Sequence, residues 1–184
     1  MCLQGVQDIV PRIRRGVLIK EPPKKQRGYR MKKKAFVLVA EDNDADFAVI
    51  EKNLQRNGYP SEIIRFCDGQ KLLNALSQIQ EAETVFCRPY LLFVDIQLPQ
   101  VDGLEVLGTI KANPQLKKIP VIVLLTSENE QQVLEQCYRY GCSFCLRKPD
   151  IPEHFSEMFR HVSDFLSVME LPELPVPEAM GAVL

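Results

Sequence analysis

The chain has 184 residues, 46% apolar and 26% charged, a composition that suits one globular domain with tails on a prior of roughly 100–200 residues per domain. No apolar run approaches the ~18 residues of a membrane span, and no apolar stretch follows the N-terminus as a signal peptide requires. Membrane-spanning, collagenous and wholly disordered classes are excluded, and a soluble, cytoplasmic protein is expected.

The net charge of −1 conceals two unlike halves. Residues 1–34 carry eleven Lys/Arg against Asp8 and Glu21, a net of +9, while residues 35–184 carry twelve bases against twenty-two acids, a net of −10. Residues 1–34 contain Pro11, Pro22 and Pro23, show no sustained period and read as a basic, disordered arm. Met31-Lys32-Lys33-Lys34, immediately before the first apolar run, offers an alternative start. Tyr29 is the arm's one aromatic residue, which argues against a stacking, nucleic-acid-binding role.

From Ala35 apolar runs alternate with helix-period stretches. Ala35–Ala40 reads as a buried strand, and Asp44–Asn57 as a helix with Phe47, Ile50 and Leu54 on one face. Asp44 or Asp46 is expected to cap that helix, and Asn57-Gly58 to end it. Glu62–Phe66 is a second strand, and Asp68-Gly69 opens a helix carrying Leu72, Leu73, Leu76 and Ile79. Tyr90–Val94 is apolar throughout, as in a strand covered on both faces. Leu104, Leu107 and Ile110 mark a third helix and Val121–Leu125 a fourth strand. The next helix turns Val133, Leu134, Cys137 and Tyr138 inward, Gly141 ends it, and Phe144–Leu146 is a fifth strand. A final helix, Pro152–Met169, carries Phe155, Met158, Phe159, Val162, Phe165 and Leu166 in its apolar stripe. Residues 171–184, with Pro172, Pro175 and Pro177, read as a flexible tail. This alternation predicts an α/β domain over residues 35–170, a doubly wound, five-stranded parallel sheet with five helices.

Six cysteines are scattered among apolar neighbours. Cys142 and Cys145 form a C-x-x-C pair, but it enters a strand instead of opening a helix, and no second thiol pair accompanies it. Buried, unreactive thiols are the expected reading.

In such sheets the working site lies beyond the carboxyl ends of the strands. Strand one ends in Glu41-Asp42, strand three in Asp95, strand four in Thr126 and strand five in Lys148-Pro149. Carboxylates crowded at one edge repel unless a cation joins them, and Mg²⁺ suits a site with few carboxylates that also takes a phosphate. Lys148 offers a point charge for a phosphoryl oxygen and Thr126 a hydroxyl donor. The set suits phosphoryl transfer to a carboxylate nucleophile.

Three stretches carry a family resemblance: Val37-Leu38-Val39-Ala40-Glu41-Asp42-Asn43, Leu92-Phe93-Val94-Asp95-Ile96-Gln97-Leu98-Pro99 with Asp102-Gly103-Leu104, and Leu146-Arg147-Lys148-Pro149. Over nearly all of residues 35–169 the chain resembles the receiver domain of two-component response regulators, of the flavodoxin-like fold, and most of all the phytochrome-associated single-domain receivers. The resemblance implies that Asp95 accepts a phosphoryl group from a sensor histidine kinase or phosphotransfer protein. It implies Mg²⁺ held by Asp42, Asp95 and the backbone carbonyl of Gln97, with Glu41 assisting through water, and phosphoryl oxygens bound by Thr126 and Lys148.

Two positions depart from the family pattern. Counting from Asp95 places the hydroxyl residue at Leu125, whereas counting back from Lys148 places it at Thr126; Thr126 is favoured because leucine cannot donate. The aromatic residue usual three before the lysine is Cys145, with Phe144 one position away. A stand-alone, phosphorylation-dependent binding switch is expected, not a turnover enzyme, because Gln97 stands where a phosphatase wants a second acid. Its surface near the fourth helix, fifth strand and fifth helix is the expected site of a homodimer or partner contact. The alternative is a pseudo-receiver that no longer takes phosphate.

Overall fold

The computed structural model describes residues 35–56, 61–81, 87–126, 131–166 and 168–177. The basic arm, the Asn57-Gly58 helix stop and residues 178–184 lie outside them. In chain order the elements are β1 (Ala35–Ala40), α1 (Asp44–Arg56), β2 (Ser61–Phe66), α2 (Gly69–Glu81), β3 (Cys87–Asp95) and α3 (Gly103–Ala112). A short 3-10 turn at Leu116–Lys118 precedes β4 (Val121–Leu125), α4 (Gln131–Tyr140), β5 (Phe144–Arg147), α5 (Pro152–Leu166) and β6 (Glu173–Pro175).

The strands lie in the order β2-β1-β3-β4-β5, all parallel, which makes a doubly wound sheet of flavodoxin-like order. Reversal of strand order beside β1 and β3 creates the crevice where such sheets bind ligands. Register brings the strand ends together: Ala40 pairs with Val94 and Phe66, Asp95 with Leu124, and Leu125 with Arg147.

Period-two alternation divides each central strand between two cores. Phe36, Leu38, Leu92, Val94, Val121 and Val123 face the side covered by α2, α3 and α4, with Leu72, Leu76, Leu107 and Ile110 above them. Val37, Val39, Leu91, Phe93, Ile122 and Leu124 face α1 and α5, meeting Ile50, Leu54, Phe155 and Phe159. Phe159 anchors this second core, 5.5 Å from Phe93 and 5.2 Å from Phe155 between ring centroids. Each such aromatic pair adds roughly 0.5–1.5 kcal/mol beyond its buried area.

Three expectations need correction. Tyr138 does not turn inward but is exposed on α4, where Cys137 alone is buried and Val133 and Leu134 are partly covered. α5 ends at Leu166 instead of Met169, and Phe165 of its expected stripe is half exposed. The segment after Leu171 is no loose tail over its described part. Glu173–Pro175 pairs antiparallel with Cys87–Pro89, the part of β3 that precedes its pairing with β1. Leu174 is buried against the α2–α4 core, and the Tyr90 hydroxyl donates to the Pro175 carbonyl at 3.1 Å. The start of β3 runs beyond its pairing with β1, and the returning chain takes up its edge.

Candidate functional site

The site begins where β1 runs out. The Glu41 N–H donates to the Phe66 carbonyl at 3.0 Å, extending the ladder by one residue and placing the Glu41 side chain in the interior. Asp42, the next residue, faces solvent. α1 is capped by neither Asp44 nor Asp46: Asn43 Oδ1 accepts the N–H groups of Ala45 (2.8 Å) and Asp46 (3.1 Å). Asn serves this role as well as Asp does, and it leaves both aspartates of the first turn free for other partners.

Arg65 of β2 holds this acidic loop from the side. Its Nε donates to the Glu41 carbonyl at 2.9 Å, Nη2 to the Asp42 carbonyl at 2.9 Å and Nη1 to Asp44 Oδ1 at 2.6 Å. Its guanidinium also lies over the Phe47 ring, 4.7 Å from the centroid. The fork geometry of arginine matches such multiple acceptors, where a lysine would make one contact.

Asp95 closes β3. Its carboxylate is almost fully buried, with Oδ1 accepting the Gln97 N–H at 3.0 Å and Oδ2 accepting Lys148 Nζ. The turn beyond it demands a glycine: a Cβ on Gly103 would stand 2.0 Å from the Asp95 carbonyl oxygen, and the Gly103 N–H donates to the Ile96 carbonyl at 2.9 Å. Asp102 then caps α3 by accepting the Glu105 N–H at 2.8 Å.

Lys148 follows β5, its N–H donating to the Leu125 carbonyl at 2.6 Å. Its ammonium reaches Glu41 Oε2 at 2.6 Å, Asp46 Oδ2 at 2.8 Å and Asp95 Oδ2. Burial opposes the charge on Lys148, but its three carboxylate partners outweigh that cost and hold the ammonium above the ordinary lysine value. For Glu41 burial wins, pushing its carboxyl up to about 7 against the pull of Lys148.

Carboxylate oxygens of Glu41, Asp42 and Asp95 lie within 4.8 Å of one another. An all-oxygen set with one solvent-facing member is the donor chemistry of a hard divalent cation that keeps some of its water, so these residues fit such an ion. Gln97 is held beside them through its N–H on Asp95. Thr126 is the first residue past β4, half-buried, its carbonyl accepting from Arg147 Nη1 at 3.2 Å, whereas Leu125 is sunk in the α2–α4 core. The structure therefore brings Glu41, Asp42, Asp95 and Lys148 together and sets Thr126 at the neighbouring strand end.

Sequence reasoning missed Arg65 and the role of Asp46. The signal for Asp46 was its place in the first turn after Glu41-Asp42, which the capping explanation absorbed. The C-x-x-C pair lies apart from this site: Cys142 is buried, its Sγ is 3.5 Å from that of Cys145, and burial raises both thiols. Phe144 is exposed and packs edge-on against Phe165 at 5.8 Å.

Residues 37–160 match the family model described as the response regulator receiver domain. The chain is 34% identical over 136 residues to the response regulator Rcp1 of Synechocystis, covering 74% of this chain and 92% of that protein. It is 33% identical to the polar-differentiation response regulator DivK of Brucella anthropi, covering 67% and 92%. Among solved structures, the Mn²⁺-bound form of Rcp1 superposes with a TM-score of 0.66 at 33% identity, over 74% of this chain and 98% of that one. The phosphorylated cyanobacterial phytochrome response regulator RcpA gives 0.65 at 30% identity, over 76% and 99%. The chain belongs to the response regulator receiver domain family.

Proposed function

We propose that this receiver accepts a phosphoryl group on Asp95 and signals through phosphorylation-dependent contacts with other proteins. One observation carries the reading: a buried carboxylate at the end of a central strand, bonded to a partly buried lysine and adjoining two further acids. Among the described residues no helix is long and apolar enough to cross a membrane, and a cytoplasmic setting fits a phosphohistidine donor.

Glu41, Asp42, Asp95 and the Gln97 carbonyl would hold Mg²⁺, as the Mn²⁺ bound by the similar Rcp1 supports. The ion supplies charge neutralisation for the transferring phosphoryl group. The chain's own residues do the rest. Asp95 presents a carboxylate oxygen to phosphorus; the new O–P bond forms as the N–P bond to the donor imidazole breaks, and the donor keeps the electron pair. The Gln97 N–H orients Asp95 through Oδ1. Lys148 and the Thr126 hydroxyl take the phosphoryl oxygens, Lys148 being already charged and in place. The phosphorylated form of RcpA supports the same chemistry here.

The donor is a sensor histidine kinase or phosphotransfer protein, and the role is that of an acceptor switch, not a turnover enzyme. The output surface is the α4–β5–α5 face, where Phe144, Phe165, Ile151 and Val168 stand exposed, and where a homodimer or downstream partner would sit. Intact mass after incubation with acetyl phosphate tests the reading. One phosphoryl adduct that requires Mg²⁺ and disappears in Asp95→Asn is expected. Absence of the adduct in a folded protein would overturn the reading and leave a pseudo-receiver interaction module.

A further inference from the structure

Lys148 carries three N–H donors, and three carboxylates, Glu41, Asp46 and Asp95, take them. A phosphoryl oxygen arriving at Asp95 must therefore displace one partner or share a donor. Glu41 is fully buried and its Oε1 also accepts the Asn43 N–H at 3.2 Å, so releasing it would strand a buried carboxylate. The Asp46 side chain is 32% exposed, on the first turn of α1, and water can solvate it when it lets go. Asp46 does no capping work that would hold it in place, because Asn43 caps the helix.

Resting on the acceptor reading above, we infer that Asp46 is a positioning residue: it holds Lys148 toward α1 in the resting state and competes with the incoming phosphoryl oxygen for the ammonium. Asp46 thereby sets how readily the site accepts phosphate, and does so without touching the reacting atoms. The exchange also frees a charge on α1 when Asp95 is modified.

The test follows adduct formation on the full chain with acetyl phosphate and Mg²⁺. Asp46→Asn keeps the shape and removes the charge, and it is expected to accelerate phosphorylation by about fivefold, the scale of one partly exposed ion pair. Asp46→Glu keeps the charge and is expected to stay within about twofold of the unaltered chain. In a Lys148→Ala background the acceleration by Asp46→Asn is expected to vanish, because the cycle isolates the pair. Equal rates for Asp46→Asn and the unaltered chain, both folded by circular dichroism, would overturn the inference. So would an equal acceleration without Lys148, which would make Asp46 a mere source of long-range repulsion. An unaltered chain that takes no phosphate at all sinks the acceptor reading itself and this inference with it, a result distinct from equal rates.

Discussion

The carboxyl end of the sheet and the α4–β5–α5 face are built on opposite plans. At the strand ends, the buried carboxylates Glu41 and Asp95 and the partly exposed Asp46 of α1 are all bonded to Lys148, so each helps to fix its neighbours. On the other face, aromatic and aliphatic side chains stand 42–55% exposed, and Phe144 touches Phe165 without either being covered. On the proposed function, the bonded site would receive the phosphoryl group and the loosely committed surface would report it. Changes on the second can alter partners without disturbing the first, whereas changes in the first spread through every bond of the network.

The sharpest break in this contrast comes at Gly103. A side chain there meets the Asp95 carbonyl, and backbone cannot give way as a flexible side chain does. Gly103→Val is expected to cost about 3 kcal/mol in a urea titration, at the upper end for overpacking, and to abolish the Asp95 adduct. Next comes the far end of the sheet, where Leu174→Ala is expected to cost about 2–3 kcal/mol while leaving the adduct intact, because β6 sits at the opposite end of β3 from Asp95. Loss of the adduct in that variant would show that the two ends are coupled. Arg65→Met removes three bonds to the acidic loop. Divalent-ion affinity by calorimetry is expected to fall about tenfold, the lower end for losing an outer contact that orients metal ligands.

How much of this could be read from residues alone follows the same division. The central strands were legible because burial on both faces leaves an uninterrupted apolar run, as in Val121–Leu125, and the strand-end acids and Lys148 stood out against such runs. Partnerships across the fold were not legible. Asp46 and Lys148 are 102 residues apart, and nothing local distinguishes an aspartate that caps a helix from one that waits for a lysine. Arg65 reads as an ordinary strand residue until β2 is seen beside the β1 loop. β6 is not legible because three residues that follow Pro172 and end in Pro175 carry no period; the open edge of β3 makes them a strand. Tyr138 stays exposed because α4 buries a narrower stripe than its pattern allows.

On the loosely committed face, Phe165→Ser removes one exposed ring and its contact with Phe144. Stability is expected to change by less than about 1 kcal/mol, as for surface positions, and Mg²⁺ affinity to remain unchanged. Sedimentation velocity of the phosphorylated protein is the informative measurement: loss of self-association in this variant alone would identify the face as the dimer contact, and unchanged association would move that contact elsewhere.

The smallest expected effect belongs to Asp68, a charge near the carboxyl end of the sheet whose bonds run to Lys71. Its Oδ1 accepts the Lys71 N–H at 2.7 Å and its Oδ2 faces Lys71 Nζ at 2.8 Å. The Lys71 side chain, then its N–H, hold the Asp68 carboxyl below the ordinary value. A folded-state value below the unfolded one means that the unfolded chain binds the proton more readily. The contribution is therefore complete above the unfolded value and is lost as pH falls through the folded one. Asp68→Asn can still accept the N–H but holds no charge, so the two proteins are expected to differ most near about pH 6 and to converge in urea midpoint only as pH falls below the folded value of Asp68. A gap that stays constant with pH would assign the effect to helix capping alone. The Lys71 side chain is 70% exposed, so salt should narrow the gap at pH 6; an aspartate sunk in the Lys148 network would show no such sensitivity.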